Sequence, residues 1–272
     1  MLINYDEYQM MYKAEEKLWW YKILHEKVLS VIIEKFGENK QINILDAGCG
    51  TGGLMSFLIR NDYTNIQGFD FSEDAVSFCK ERNLNVQQID ITDFESLFGN
   101  NEFDVIINND VVYQFENTII QKIFFTFQNK INETGIIITN NNAFNVFYGT
   151  HDIAVGGKQR FTLSNFENIL KTLSLKIVYH SYWSLVLAPL ILAVRIFQQI
   201  QLKLNLINMK NIKSDVNIPS DFMNSLFYKA VKFEEKILKK GFFGSSLFMV
   251  LQQKKNNYQS IMFFYIKFKQ VY

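Results

Sequence analysis

Short apolar runs closed by a polar or acidic residue recur through the first half of the chain, most of them followed by apolar positions at helical spacing. Residues 42–45, 65–70, 86–91, 105–108 and 136–140 read as strands, because runs rich in Ile, Val and Phe suit a sheet covered on both faces. After the first run, Leu54, Phe57 and Leu58 keep helical spacing, as do residues 73–82 and 118–131. Ser72 is placed to cap the helix over 73–82, with Glu73 and Asp74 favouring its dipole. Residues 132–135 read as a turn, and Ser164 with Glu167 as a capping box for a helix running to residue 173. Upstream, Trp20, Leu24, Val28, Ile32 and Phe36 repeat at the same period, so residues 6–36 form one or two helices. Alternating strands and helices predict an α/β fold, a doubly wound parallel sheet that takes ligands at the carboxyl ends of its strands.

The first such strand end carries the densest chemistry, Asp46-Ala47-Gly48-Cys49-Gly50-Thr51-Gly52-Gly53. Glycines let the backbone turn sharply and leave room for a ligand against the main chain, while the first N–H groups of the following helix face that ligand. Gly48, Gly50 and Gly53 spell G-x-G-x-x-G, with Asp70 about 20 residues on, which also fits a dinucleotide. Asp46 separates the two readings. A carboxylate ahead of the first glycine repels a pyrophosphate and attracts a cofactor that carries an ammonium and a sulfonium. Asp70 closes the second strand, where a carboxylate accepts hydrogen bonds from both hydroxyls of a ribose.

The string D-A-G-C-G-T-G resembles the first motif of the class I S-adenosylmethionine (SAM) dependent methyltransferases, in the branch of ubiquinone-type and type 11 enzymes. That resemblance implies a Rossmann-like sheet of seven strands, six parallel and the last inserted antiparallel, with residues 174–183 and 246–251 as the sixth and seventh. It also implies SAM as cofactor, held by Asp46, Gly48, Cys49, Gly50, Gly52, Asp70 and Phe71. Asp90 would meet the adenine amine and Ile91 pack on the ring; Asn109 and Asp110 would face the methionine end. Glu15, Glu16, Trp19 and Trp20 resemble the E-x-x-x-W-W lead-in that lies over the cofactor in many type 11 enzymes, although both tryptophans also suit packing on the sheet. The family often has D-V-L-E-H or D-V-L-Y-H after the fourth strand. This chain has Asp110-Val111-Val112-Tyr113-Gln114, so a relay through that histidine is lost. Arg160-Phe161-Thr162 resembles an R-F-T string and His151-Asp152 an H-D pair. These put His151 and Asp152 forward as catalytic residues, His151 because an imidazole takes a proton near neutral pH. Tyr113, Tyr148 and Arg160 are the expected acceptor contacts.

Composition narrows the partners. The 272 residues are 48% apolar with a net charge of +1, enough for one sizeable core and without the electrostatic footprint of a nucleic-acid binder. No N-P-P-Y-like string follows the fourth strand, which argues against base-methylating DNA enzymes. Cys49 and Cys79 have no metal or disulfide spacing, and the N-terminus lacks the basic start of a signal peptide, so a cytoplasmic location is expected. The organisation reads as a helical cap over 1–40, a cofactor core over 41–183, a helical insert over 184–244, and a last strand with tail over 245–272. The insert holds nine Lys or Arg against four Asp or Glu. Its apolar head, 185–194, is too short to span a bilayer and precedes a basic helix over 227–240. Two readings stand: a lid whose apolar face closes on the domain, or a helix lying in a membrane interface at the inner face of the membrane. Both place the acceptor, a small molecule or a lipid-linked group methylated on oxygen or nitrogen, beneath the insert. The alternatives are a nicotinamide (NAD) dependent oxidoreductase and a SAM-binding module without transfer. Oligomeric state is open.

Overall fold

The computed structural model describes residues 5–93, 102–206, 212, 214, 216–238 and 240–254. Seven strands form one sheet: β1 (Ile44–Ala47), β2 (Ile66–Asp70), β3 (Val86–Gln88), β4 (Phe103–Asn109), β5 (Ile131–Asn142), β6 (Leu175–Trp183) and β7 (Ser246–Gln253). Their order is β3-β2-β1-β4-β5-β7-β6. The pairs from β3 through β5 are parallel, and β7 runs antiparallel to both β5 and β6. Six strands therefore share one direction, as the doubly wound reading requires. The order reverses between β1 and β4, and that switch point is where such sheets open a crevice for ligands.

Both sheet faces are dry, which explains the unbroken apolar runs. Along β4, Val105 and Ile107 point to one core cluster and Ile106 to the other; Ile136 and Ile138 of β5 divide from Ile137 in the same way. The first cluster is closed by α2 (Trp19–Phe36) and α3 (Gly53–Ile59), the second by α5 (Asn117–Lys130) and α7 (Leu163–Leu170). Fully buried rings such as Phe69, Phe124 and Phe166 fill these layers, each contributing on the order of 1.5 to 3 kcal/mol by leaving water. Ser72 caps α4 (Glu73–Glu81) by accepting from the Ala75 N–H.

Several sequence expectations move. β3 ends at Gln88 rather than reaching residue 91. The predicted turn over 132–135 lies inside a 12-residue β5, where the register shifts between Phe103 and Val105 of β4. Thr162 caps α7 with Asn165 as its partner; Ser164 sits within the first turn instead. The basic helix starts earlier than expected, as α9 (Asp221–Ile237). The apolar head continues through a short 3-10 turn into α8 (Ala188–Lys203). Together they make a helix long and apolar enough, by length and composition, to cross a membrane, so its extent is greater than the sequence reading allowed. The remaining α-helices among the described residues are α1 (Tyr5–Ala14) and α6 (Thr150–Ala154). From residue 255 onward the tail lies outside the described residues.

Candidate active site

At the carboxyl ends of β1, β2 and β4 lies a cavity of about 600 Å³. Gly48, Gly50 and Gly52 all take positive φ, 82°, 55° and 80°, a conformation that costs a residue with a β-carbon. Space enforces it too: a β-carbon on Gly48 would lie 2.5 Å from a Val111 methyl. The loop is tied to the second strand by Asp70, whose two oxygens accept from the Gly50 N–H and the Ser72 N–H, each at 3.0 Å. Each oxygen keeps a second lone pair for a ligand hydroxyl.

Acids crowd the site. Burial, with the charges of Glu15 and Asp70, pushes Asp46 up to about 8. Burial also raises Asp110 to about 7, held back by the Asn140 amide that donates to it at 2.9 Å and by Arg160. Glu15, carried by the turn after α1, is raised to about 7 by burial despite its 2.9 Å ion pair with Arg82 and a bond from the Thr51 hydroxyl. A carboxyl removed from water keeps its proton unless a cation arrives. The cavity is thus built for positive charge. Beside it, both polar atoms of the Asn109 side chain are buried without a hydrogen-bond partner among the described residues, a cost that a polar ligand would remove. Ammonium, sulfonium and ribose hydroxyls fit this donor and acceptor set.

Of the expected residues, Asp46, Gly48, Cys49, Gly50, Asp70, Phe71, Asn109 and Asp110 line the cavity, and so do Tyr113, His151 and Arg160. Gly52 shapes the loop from behind. Asp90 and Ile91 are not among the residues that line this cavity: Asp90 is exposed and accepts from the Thr92 N–H and hydroxyl at 2.8 Å, and Ile91 is buried in the same core cluster as Phe69 and Ala47. β3 ends at Gln88, just before them, and the adenine contact expected of them stands as a proposal. Asp152 is also off the wall. Its oxygens accept from Arg160 Nε at 2.8 Å and Nη2 at 3.0 Å, and from the Gly149 N–H. Such a bidentate, buried pair holds the loop and leaves no carboxylate free for proton transfer. Tyr148 gives its carbonyl to Gln199 and does not line the cavity.

The lead-in expected over the cofactor does line the cavity through Glu15, Trp19 and Trp20, and α1 and α2 add Tyr8, Met11, Tyr21 and His25, which sequence reasoning did not single out. His25 is buried against Phe57; burial and the charges of Arg60 and Arg82 lower it to about 3, which makes it a poor base near neutral pH. Trp20 does both jobs weighed for it, lining the cavity and stacking on Trp183 at 5.6 Å. Asn140, unremarked in the sequence, joins Asp110 to the indole N–H of Trp183, which donates to it at 2.9 Å. The insert contributes Ile191, Arg195 and Phe227.

A profile described as a methyltransferase domain matches residues 38–177, just over half the chain. The malonyl-[acyl-carrier protein] O-methyltransferase of Bacillus cereus is 27% identical over 170 residues, 61% of this chain and 59% of that protein. The ubiquinone biosynthesis O-methyltransferase of Rickettsia canadensis is 28% identical over 136 residues, 44% of this chain and 56% of that protein. The chain therefore spans under two thirds of the length of these relatives. A SAM-dependent methyltransferase from Archaeoglobus fulgidus shares the fold, with a TM-score of 0.54 at 15% identity over 85% of this chain and 94% of that one. With this fold and this cavity, the chain belongs to the methyltransferase-domain family.

Proposed function

We propose that the cavity transfers a methyl group to an oxygen or nitrogen of a small-molecule or lipid-linked acceptor. The observation that carries this reading is the single cavity in which the glycine loop and its acids meet the aromatic and apolar side chains of Trp19, Tyr21, Ile191 and Phe227. The bound cofactor supplies an electrophilic methyl carbon. Asp70 would hold its ribose, Asp46 and Asp110 would stand beside its positive groups, and Asn109 would find its partners there.

In-line displacement at a methyl carbon needs alignment and a water-poor site more than covalent help. Tyr113 supports the acceptor side: it is buried, and its hydroxyl is pushed above the ordinary tyrosine range by burial and the Asp110 charge, so it stays a hydrogen-bond donor. His151 also lines the cavity, and an imidazole is the side-chain type suited to take an acceptor's proton. Arg160, locked by Asp152, fixes the loop that carries both Tyr148 and His151. Purified protein incubated with SAM and a panel of phenols, amines, carboxylates and polyprenyl-linked variants of each should release S-adenosylhomocysteine with one acceptor class above the acceptor-free rate. Release with none of the oxygen or nitrogen acceptors, while SAM binds, would overturn the acceptor class.

A further inference from the structure

Surface helices of water-soluble domains normally turn their apolar stripe inward. α8 does the reverse. Its polar side chains face the domain: Arg195 is buried and donates to Gln198 at 2.8 Å, Gln198 accepts from the Thr150 N–H, and Gln199 donates to the Tyr148 carbonyl at 2.8 Å. Gly149 permits this close seating, since a β-carbon there would lie 2.5 Å from Gln198 Oε1 and 2.6 Å from Arg195 Cδ. The opposite face is apolar and open to solvent: Leu190 is 51% exposed, Val194 46%, Phe197 61%, Ile200 49% and Leu204 62%. These positions recur every three or four residues, so they form one stripe about four turns long. This outward stripe is not the face that the lid reading would close on the domain, although Ile191 of the same helix packs inward.

α9 repeats the theme with charge added. Phe222, Leu226, Phe233 and Ile237 are exposed, with Lys229 and Lys236 exposed among them. Asp221 at its start is exposed, but the acids of its last turns point the other way. Glu234 is buried and accepts from the Leu185 and Val186 N–H groups, and Glu235 pairs with Lys27 and Lys232. Lys203 closes the α8 stripe, which carries no acid.

We propose that the α8 face, aided by α9, docks on a lipid bilayer that carries anionic phospholipids, lying in the headgroup plane with Phe197 and its neighbours dipping below. Apolar side chains flanked by cations are what such an interface binds, and a patch of this size on a soluble surface otherwise invites association. The helix is long enough to cross a membrane, yet its inner face is bonded to the loop that bears His151. Crossing would break those bonds, so it lies flat. Since Ile191 and Arg195 of the same helix and Phe227 of α9 line the cavity, docking brings the cavity to the lipid phase. An amphipathic, membrane-dissolved acceptor follows. That last step rests on the methyl-transfer reading; the docking does not.

Flotation of the full chain with vesicles of phosphatidylcholine, with and without phosphatidylserine, tests the surface, and SAM titration of the same samples keeps the cofactor site in view. The wild type should float with the serine-containing vesicles, less with phosphatidylcholine alone, and less at high salt. The double variant Phe197→Glu/Leu204→Glu should lose flotation and bind SAM as before. A wild type that floats with neither vesicle, or a double variant that floats as well as the wild type, overturns the docking. So does a concentration-dependent dimer that the double variant abolishes while vesicles have no effect, because a second copy would then cover the face. Loss of SAM binding in the wild type would instead strike the methyl-transfer reading and leave the docking result standing.

Discussion

Asp46 carries an opposition between stability and binding. Its carboxyl, raised to about 8 by burial and by Glu15 and Asp70, holds more protons folded than unfolded between its two pKa values. Stability from this group is therefore present at low pH and is lost as pH climbs from about 4 to about 8. Asp46→Asn should raise the Tm of the ligand-free protein most near pH 8, with a smaller gain near pH 5, and should weaken SAM binding. Melting curves at both pH values check the first part; an equal gain at both would show that ionisation is not the cause. Asp70→Ala should cost roughly 1.5 to 3 kcal/mol of SAM affinity for each charge-assisted hydrogen bond removed, measured by calorimetry on folded variant. An unchanged affinity would reject the ribose contact. His151→Ala should lower turnover more than SAM affinity, since it faces the cavity from the loop after β5. Retained turnover with the true acceptor would make His151 a structural residue.

Elements show where sequence patterns inform and where they stop. β1 and its glycine loop were legible because sterics and charge act locally there: positive φ demands glycine, and an acid at a strand tip is visible as a letter. β5 was legible as a strand and misjudged in length, since the turn-like Asn132-Glu133-Thr134-Gly135 is drawn into the ladder by pairing with β4. The length of β3 was misjudged for a related reason. Strand ends are set by partners, and β3 pairs with β2 for only three residues. Nothing local marks Arg82 as the partner of Glu15, 67 residues away. Their buried ion pair latches the turn after α1 over the glycine loop, with Arg82 also donating to the Tyr12 carbonyl and stacking on its ring at 4.2 Å. Glu15→Ala would strand a buried guanidinium and should destabilise by about 3 to 5 kcal/mol, read as a lower urea midpoint. A midpoint unchanged from wild type would mean that the strap is held by its aromatic contacts alone.

The whole molecule places three surfaces around one cavity: the strand ends with their acids, the strap of α1 and α2, and the insert of α8 and α9. The periodicity of the insert was readable, whereas the direction its apolar face takes was not, because the same spacing serves an inward or an outward stripe. The central claim is that the glycine loop and its acids select a cationic cofactor over a pyrophosphate-bearing one. Calorimetric titration of the ligand-free protein with SAM and, separately, with NAD, near pH 7 in buffers of different ionisation enthalpy, tests it most directly. SAM should bind with release of protons from the buried carboxyls, giving a heat that depends on the buffer, and NAD should give no binding heat. Tight binding of NAD with none of SAM would contradict the account.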